Sequence, residues 1–480
     1  VADRAPAYGM KGWSVDGTDP EAVWSVVAAA VARARAGEGP SLVEARVSRI
    51  TPHSSQDDDA YRSEAERAVL VAHDPVLALG SRMVEHGLIS KDEDEAEWVA
   101  VRAEVLAAQE LALAAPEPEP DRARRWLWAG EGVGRRPVAG RARLHPAPVE
   151  SPSVRVGEPV TMIEAVRDAL GEEMARDASV VLMGQDVGRK GGVFKASVGL
   201  LDEFGPLRVV DTPVAEIGIA GVAVGAAMAG LRPVAEFQFA DYIHPAYDQI
   251  VNQAATVRWR SVGGWGVPAV FRAPCGAGVR GGVYHSQSVE AAYCHVPGLK
   301  VVMPATPADA KGLLKAAIRD DDPVVFFEPK RAYRSLREPV GTEAIPLGVA
   351  RVDRTGDDVS LVTYGIGVHL ARAAVEVLEA DGLSVEIVDL RTLVPYDKEA
   401  VARTVAKTGR LLVLHEANRT MGFGAEIAAF AAEELFADLD APVVRVGADD
   451  CHIPYNAPEE DAIIPGAGKV AEAVRRLATF

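Results

Sequence analysis

A single acid opens one of the most apolar stretches of this 480-residue chain: Glu216, in DTPVAEIGIAGVAVGAAMAG from Asp211 to Gly230. The Gly, Ala, Val and Ile that follow it predict buried packing rather than a surface helix. A carboxylate at the mouth of such a run is costly unless something binds it. Desolvation raises a carboxyl pKa, and a group so placed can hold and pass a proton near neutrality. The residues also admit a plainer reading: a buried Glu paired with an Arg, or one capping a helix whose start is marked by Asp211-Thr212-Pro213. Two histidines have settings of similar interest, since imidazole titrates close to working pH. His285 ends a glycine-rich loop, GAGVRGGVYHSQS (276–288), where Ser286 and Ser288 equally suit the cap of a following helix. His53 lies in TPHSSQDDDAYR (51–62), whose three aspartates also suit a solvated acidic turn. Gln238 and Tyr242, in FQFADY, can pack on a ligand ring or simply fill a core.

These residues need a large scaffold, and the composition supplies one. With 48% hydrophobic and 25% charged residues the chain is an ordinary globular sequence, long enough for about three domains. A formal charge of -18 with no Lys/Arg-rich face argues against nucleic acid as partner. Cys275, Cys294 and Cys451 are too far apart to read as a disulfide framework or a cysteine-rich metal site. No apolar run approaches a membrane span, and VADRAPAYGM reads as neither signal nor transit peptide. The expectation is a soluble protein of a reducing cytoplasm.

The first fifty residues read as strand, helix, strand: GWSVDG, then EAVWSVVAAAVARARA behind the Asp19-Pro20 start signal, then SLVEARVSRI as a strand of buried type. This is the tail of an α/β domain, too small to hold a core alone. Helical segments run to Ala114, and APEPEPD (115–121) is a stiff Pro/Glu linker. Arg122 to about Pro159 reads as a connector. The second half alternates regularly, from the helix VTMIEAVRDALGEEMARD through strands at Val180–Val187, Val234–Phe237, PAVFRAP, VPGLKVVMP and DPVVFFEP, with a helix from Ala246 to Ser261. Such alternation predicts a parallel sheet covered on both faces. Leu336 to Leu347 is a loose crossover, and the final third repeats the α/β pattern as a small doubly wound domain of its own.

Several long stretches in order carry a family resemblance. GQDVGRKGGVFKASVGL (184–200), DTPVAEIGIAGVAVG (211–225), EFQFADYIHPAYDQIVNQAA (236–255), GGVYHSQSVEAAYCHVPGLKVVMP (281–304) and FFEPKRAYR (326–334) resemble the β subunit of thiamine diphosphate-dependent 2-oxoacid dehydrogenase E1 components, most closely the branched-chain type. VDGTDPEAVW (15–24) and HSSQDDDAYRS (53–63) resemble the C-terminal part of the matching α subunit. The resemblance implies an α/β fold of transketolase-like, thiamine diphosphate-binding doubly wound parallel sheets plus a C-terminal transketolase-like α/β domain. The implied divisions are 1–115 (C-terminal part of an α-type, diphosphate-binding domain), 116–159 (linker), 160–335 (pyrimidine-binding domain) and 336–480 (C-terminal domain).

In that family a Glu at the position of Glu216 hydrogen-bonds N1′ of the aminopyrimidine and favours the tautomer that takes the thiazolium C2 proton. The dry Gly/Ala run suits that chemistry. By resemblance His285 acts in acyl transfer to a lipoyl arm, Gln238 and Tyr242 are pyrimidine-pocket positions, and Val214 is a backbone-contact position. The same resemblance implies that His53 approaches the diphosphate and the reacting centre, in a loop that helps dock the lipoyl-bearing partner. Ser54 occupies the place phosphorylated in animal relatives, without implying a kinase here. Asp320 helps hold a structural monovalent cation, K+, in relatives. Two departures stand out. The family's grip on the diphosphate and Mg2+ is a GDG motif with a downstream Asn, upstream of the α-like piece; no such pair occurs in these 480 residues. The Mg2+ ligands are therefore expected from a segment preceding this one. Gln185 stands where relatives usually carry an acid, and an amide cannot relay a proton.

The implied protein is most of an α–β fused E1 component. It would carry out oxidative decarboxylation of a branched 2-oxo acid such as 3-methyl-2-oxobutanoate, with acyl transfer to a lipoyl-bearing dihydrolipoyl acyltransferase, E2. A homodimer of fused chains would be equivalent to an α2β2 assembly. Pyruvate or acetoin dehydrogenase E1 is the rival among enzymes. A non-catalytic E1-like subunit, or a fragment without its diphosphate site, is the rival of another class.

Overall fold

The computed structural model describes residues 1–52, 54, 56–130 and 157–480, which form two compact units, Val1–Glu119 and Pro120–Phe480. In the first unit, strands β1 (Lys11–Asp16) and β2 (Ser41–Arg46) pair in parallel and are joined by helix α1 (Pro20–Arg35). Asp19 caps α1 through the N–H groups of Glu21 and Ala22, as its Asp-Pro start signal predicts. Three further helices follow, α2 (Glu64–Ala72), α3 (Pro75–Glu85) and α4 (Lys91–Ala114), and Asp19 also pairs with Arg82 of α3 at 3.2 Å, which ties α1 to the second of them. Contrary to the buried strand expected at SLVEARVSRI, β2 is at most half-buried. A two-stranded sheet with one crossover helix has too little apolar area to enclose it.

The second unit holds the remaining strands. They are β3 (Pro159–Thr161), β4 (Val180–Gly184), β5 (Val209–Asp211), β6 (Arg232–Glu236), β7 (Val270–Cys275), β8 (Lys300–Val302) and β9 (Val324–Pro329). Then come β10 (Arg337–Pro339), β11 (Arg351–Arg354), β12 (Val359–Thr363), β13 (Val385–Asp389), β14 (Thr392–Val394), β15 (Leu411–Asn418) and β16 (Val444–Ala448). A seven-stranded sheet has the order β14-β8-β9-β7-β6-β4-β5, parallel except for β14. A five-stranded sheet has the order β11-β13-β12-β15-β16, parallel except for β11.

Strand alternation decides how the larger sheet is covered. Val180, Leu182, Val234, Val270, Val324 and Phe326 face one side, against helix α5 (Met162–Arg176) and the helix Pro307–Arg319. Met183, Ala235, Phe271, Val325 and Phe327 face the other. There they meet helix α7 (Glu216–Met228), which follows the short α6 (Leu200–Phe204) and buries Ile219, Ala220, Ala223, Val224 and Ala227. The same apolar cluster takes in Val362, Val388 and Val413 of the smaller sheet and Phe423, which precedes the helix Gly424–Glu434. The final third packs closely on the rest of this unit: its β14 completes the larger sheet and its inner face shares the larger sheet's core. Glu290 and Tyr364 join across this seam, the phenol donating to the carboxylate at 2.9 Å, both buried.

The helix expected over Ala246–Ser261 is broken into a π-turn, Gln249–Ala254, and one α-turn, Val257–Arg260. The wide turn lies against α7, where Gly221 sits beside the Gln249 side chain. A π-turn leaves no periodicity distinct enough to read from so short a segment. Part of the expected connector is docked: Ala123 O accepts from Trp259, Ala129 N–H donates to the buried Asp322 carboxylate, and Trp128 lies under the Lys300 ammonium. The rest of it, 131–156, lies outside the described residues.

Candidate active site

Three parallel strands end level with one another, Gly184 of β4 pairing with Asp211 of β5 and with Glu236 of β6, and beside them Glu236 pairs with Arg272 of β7, which runs on to Cys275. The segment after each strand is delivered to the same edge, the carboxyl edge of an open α/β sheet where ligands bind. From β4 come Gln185 and Asp186; from β5, Val214 and Glu216; from β6, Gln238, Phe239, Asp241 and Tyr242; from β7, the loop that ends at His285.

Beneath this edge Arg272 is fully buried between two acids, Glu236 at 2.8 Å and Glu328 at 2.7 and 2.9 Å. Tyr333 donates to Glu328 at 2.7 Å. Burial pushes the Glu236 carboxyl up, against the pull of the Arg272 guanidinium.

His285 and Tyr242 meet directly, with Nε2 of the imidazole 3.1 Å from the phenol oxygen. Phe239 stands edge-on to both rings, its centroid 4.6 Å from that of His285 and 5.9 Å from that of Tyr242. Burial raises the Tyr242 phenol, helped by the negative charges of Asp241 and Glu216, so Glu216 is near enough to be felt there. Asp241 accepts the Gln287 N–H at 3.1 Å, and burial pushes its carboxyl up against the fields of that N–H and of Lys330. Gln238 turns the other way and donates to Asp186 at 3.2 Å; Asp186 is itself paired with Lys190 at 2.9 Å.

Glu216 occupies the first turn of α7, where the helix dipole favours an anion. It is half-buried rather than enclosed, because the buried packing expected of Asp211–Gly230 exists on one face of α7 only. On the open face Ile217 is 52% and Val222 62% exposed, and Val214 before the helix is 69% exposed. A helix apolar on all sides, of small residues throughout, has no polar face to offer water.

The structure thus brings Glu216, Tyr242 and His285 to one corner, with Gln238 and Val214 on the same edge. Asp320 is elsewhere, at the amino ends of β6, β8 and β9. Its carboxylate is held by the Lys300 ammonium at 2.7 and 2.9 Å and its carbonyl by Arg232 at 2.7 Å. His53 lies outside the described residues. Phe239, Asp241, Asp186 and Lys330 also belong to this edge and escape a reading by residue type alone. Asp241 is visible in retrospect as an acid between apolar residues in FADY, and Lys330 as a cation closing the apolar strand VVFFEP.

Residues 158–335 match the transketolase pyrimidine-binding domain, 348–470 the transketolase C-terminal domain and 1–121 the dehydrogenase E1 component. The 2-oxoisovalerate dehydrogenase subunit beta of Bacillus subtilis is 52% identical over 324 residues, 67% of this chain and 99% of that protein. The chain belongs to the 2-oxoacid dehydrogenase E1 family. Among its E1 relatives the pyruvate dehydrogenase E1 component subunit beta of Bacillus subtilis is 45% identical over 323 residues, covering 67% of this chain and 99% of the relative. The 2-oxoisovalerate dehydrogenase subunit beta of Pseudomonas aeruginosa is also 45% identical, over 336 residues, 66% of this chain and 95% of the relative. A solved structure, a split gene transketolase described as an inactive beta4 tetramer, superposes with a TM-score of 0.55 at 24% identity. It covers 67% of this chain and 98% of its own and shares the fold.

E1 membership implies thiamine diphosphate, and the corner at His285 is compatible with the ring end of that cofactor. Phe239 and Tyr242 offer aromatic surface, Glu216 a carboxylate, and the buried Asp241 Oδ2 and Ser286 Oγ make no hydrogen bond among the described residues. For Mg2+ the fit fails. Among the described residues no three His, Cys, Asp or Glu side chains converge on a metal position. Among the same residues no helix is long and apolar enough to cross a membrane.

Proposed function

We propose that this chain is the E1 component of a branched-chain 2-oxoacid dehydrogenase, an α-type segment fused to a β-type subunit, acting on substrates such as 3-methyl-2-oxobutanoate and passing the acyl group to lipoyl-E2. The observation that carries this reading is the Tyr242–His285 pair on the same edge as Glu216. It supports a site with an acid for the cofactor's pyrimidine and an imidazole for the transfer step. Thiamine diphosphate, when bound, supplies the nucleophilic carbon and the electron sink for decarboxylation. Glu216 would hold a proton at the pyrimidine nitrogen; Gln238, Tyr242 and the backbone at Val214 would orient the ring; Phe239 would keep water out. His285, steadied by the Tyr242 hydroxyl, would donate a proton to the dithiolane sulfur. His53 would approach the diphosphate, Mg2+ would be held from outside the described residues, and any K+ at Asp320 would have to share that acid with Lys300.

The open face of α7 supports an assembly of two copies. Covering Ile217 and Val222 with a second chain would bury apolar surface and close Glu216 off from water in the same step. We propose this homodimer as the working unit, equivalent to α2β2, in the cytoplasm.

Branched-chain preference rests on the 52% identity to the 2-oxoisovalerate enzyme, against 45% to the Bacillus subtilis pyruvate enzyme. Decarboxylation of 3-methyl-2-oxobutanoate and of pyruvate, each with thiamine diphosphate, Mg2+ and an artificial electron acceptor, decides it. A kcat/KM at least tenfold higher for the branched acid is expected. A pyruvate preference sinks the substrate assignment. Turnover that appears only when a GDG-bearing α segment is added places the diphosphate grip outside these residues.

A further inference from the structure

The loop that carries His285 is fastened from the other sheet. It leaves β7 at Cys275, and a Gly276 N–H to Gln287 O bond of 3.1 Å closes it into a compact lobe. Its returning limb is held by Asp241, which accepts the Gln287 N–H. Its outgoing limb is held by two acids from the final third of the chain. Glu416, within β15, accepts the Ala277 N–H, and Glu460, in the helix Ala457–Ile463 beyond β16, accepts the Gly278 N–H. Both carboxylates are buried. Gly276 and Gly278 have φ of 87° and 88°, a region open to glycine at no steric cost, and a Cβ there would strike Glu416 and Arg331 respectively. Two residues on, Arg280 donates to Ala457 O at 3.1 Å and to Asp461 at 3.1 Å.

These acids have a counter-charge in common, Lys330, beside Arg331 at Glu416 and Arg280 at 3.5 Å from Glu460. Lys330 is buried, lies 5.5 Å over the Phe239 ring, and makes no hydrogen bond among the described residues. Burial lowers its pKa against the pull of Asp241, Glu416 and Glu460. Buried carboxylates that accept backbone N–H groups around a shared ammonium make short, directional bonds, so the lobe they hold has little freedom.

We infer that Glu416 and Glu460 are positioning residues for His285, fixing from the smaller sheet the outgoing limb of its loop and thereby the imidazole's place in acyl transfer. The inference rests on the E1 reading for its consequence, but not for the clasp itself. Because Glu416 serves as an acceptor, a side chain that keeps one oxygen there retains the function, and an isosteric apolar one loses it.

The test uses the full chain as Glu416→Gln and Glu416→Leu, with Glu460→Gln and Glu460→Leu as a second pair. Amide hydrogen exchange over residues 276–288, measured without cofactor, reads the clasp. Exchange at least tenfold faster in the Leu variants, and near the parent in the Gln variants, is expected. Equal protection in all of them overturns the clasp. The consequence is read by comparing acyl transfer to lipoyl-E2 with decarboxylation to an artificial acceptor. Transfer is expected to fall ten- to a hundredfold in the Leu variants, with decarboxylation within about threefold and the Gln variants restoring transfer. A parallel fall of both activities, or a fall of neither, overturns the positioning role. If the parent chain, supplied with the α segment, turns over no 2-oxo acid, the E1 reading fails while the exchange data still decide the clasp.

Discussion

Glu216 sits at the head of a helix with its carboxylate half in water, so its replacement by the isosteric amide removes a proton carrier without emptying a core. Glu216→Gln is expected to lower turnover at least a hundredfold, the usual yield of a positioned acid or base, while the thermal midpoint moves by no more than a degree or two. A large drop in the midpoint would make Glu216 a structural residue. Tyr242→Phe deletes one hydrogen bond to His285 and keeps the ring against Phe239. A bond of this kind is worth about 1 kcal/mol, so transfer to lipoyl-E2 is expected to slow roughly three- to tenfold. An unchanged transfer rate would mean that the His285 ring is held by Phe239 and its loop alone. The acid and the imidazole are legible as residue types in unusual settings: a lone carboxyl opening an apolar run, a histidine closing a glycine loop. Their partners are not. Asp186, Asp241 and Glu416 are acids among 69 Asp and Glu, and only the fold distinguishes those that face the site.

At the level of elements, apolar runs and helix start signals place most strands and helices of the second half well, because the central strands of both sheets there are buried on both faces. The same signals fail where the partner surface decides. β2 looks apolar enough to be buried and is not; α7 looks apolar enough to be enclosed and is half open; the π-turn at Gln249–Ala254 reads as helix. Glu290, the first residue of the helix Glu290–Cys294, shows how an element inherits a pH response from its packing. Burial pushes its carboxyl up to about 7, above the unfolded value near 4.3. The folded state therefore binds the proton more tightly than the unfolded state between those values. The stability this provides is complete below about pH 4 and is lost as pH rises through about 7, roughly 3 kcal/mol in all. Glu290→Gln cannot titrate. Urea unfolding at pH 5 and pH 8 is expected to show a parent that weakens by about that amount more than the variant. Equal pH dependence in the two proteins would contradict a buried, neutral Glu290.

Across the molecule, charge and size limited the possibilities early, but the way two sheets share one core is a property of tertiary packing with no local signature. The same holds for the face of α7 that this chain leaves bare. Val222→Asp places a charge in the middle of that face, at a position exposed enough for the fold to tolerate it. Sedimentation at micromolar concentration is expected to show a dimer for the parent and a monomer for the variant, with activity lost in step. A parent that sediments as a monomer would remove the assembly, and a variant that stays dimeric would move the interface elsewhere.

The strand β14 lies at the margin of the larger sheet although it is encoded far beyond the rest of it. During synthesis the chain emerges in order, so β8 leaves the ribosome with its outer margin uncovered and stays so until Thr392–Val394 follow. A nascent chain halted between β9 and β14 carries a bare strand of Lys300–Val302, the kind of margin that recruits stray strands from other chains. Shortened genes ending near Tyr333 should for that reason yield inclusion bodies rather than a working half, and division of this protein into separately expressed parts is best attempted ahead of β3, not behind β9.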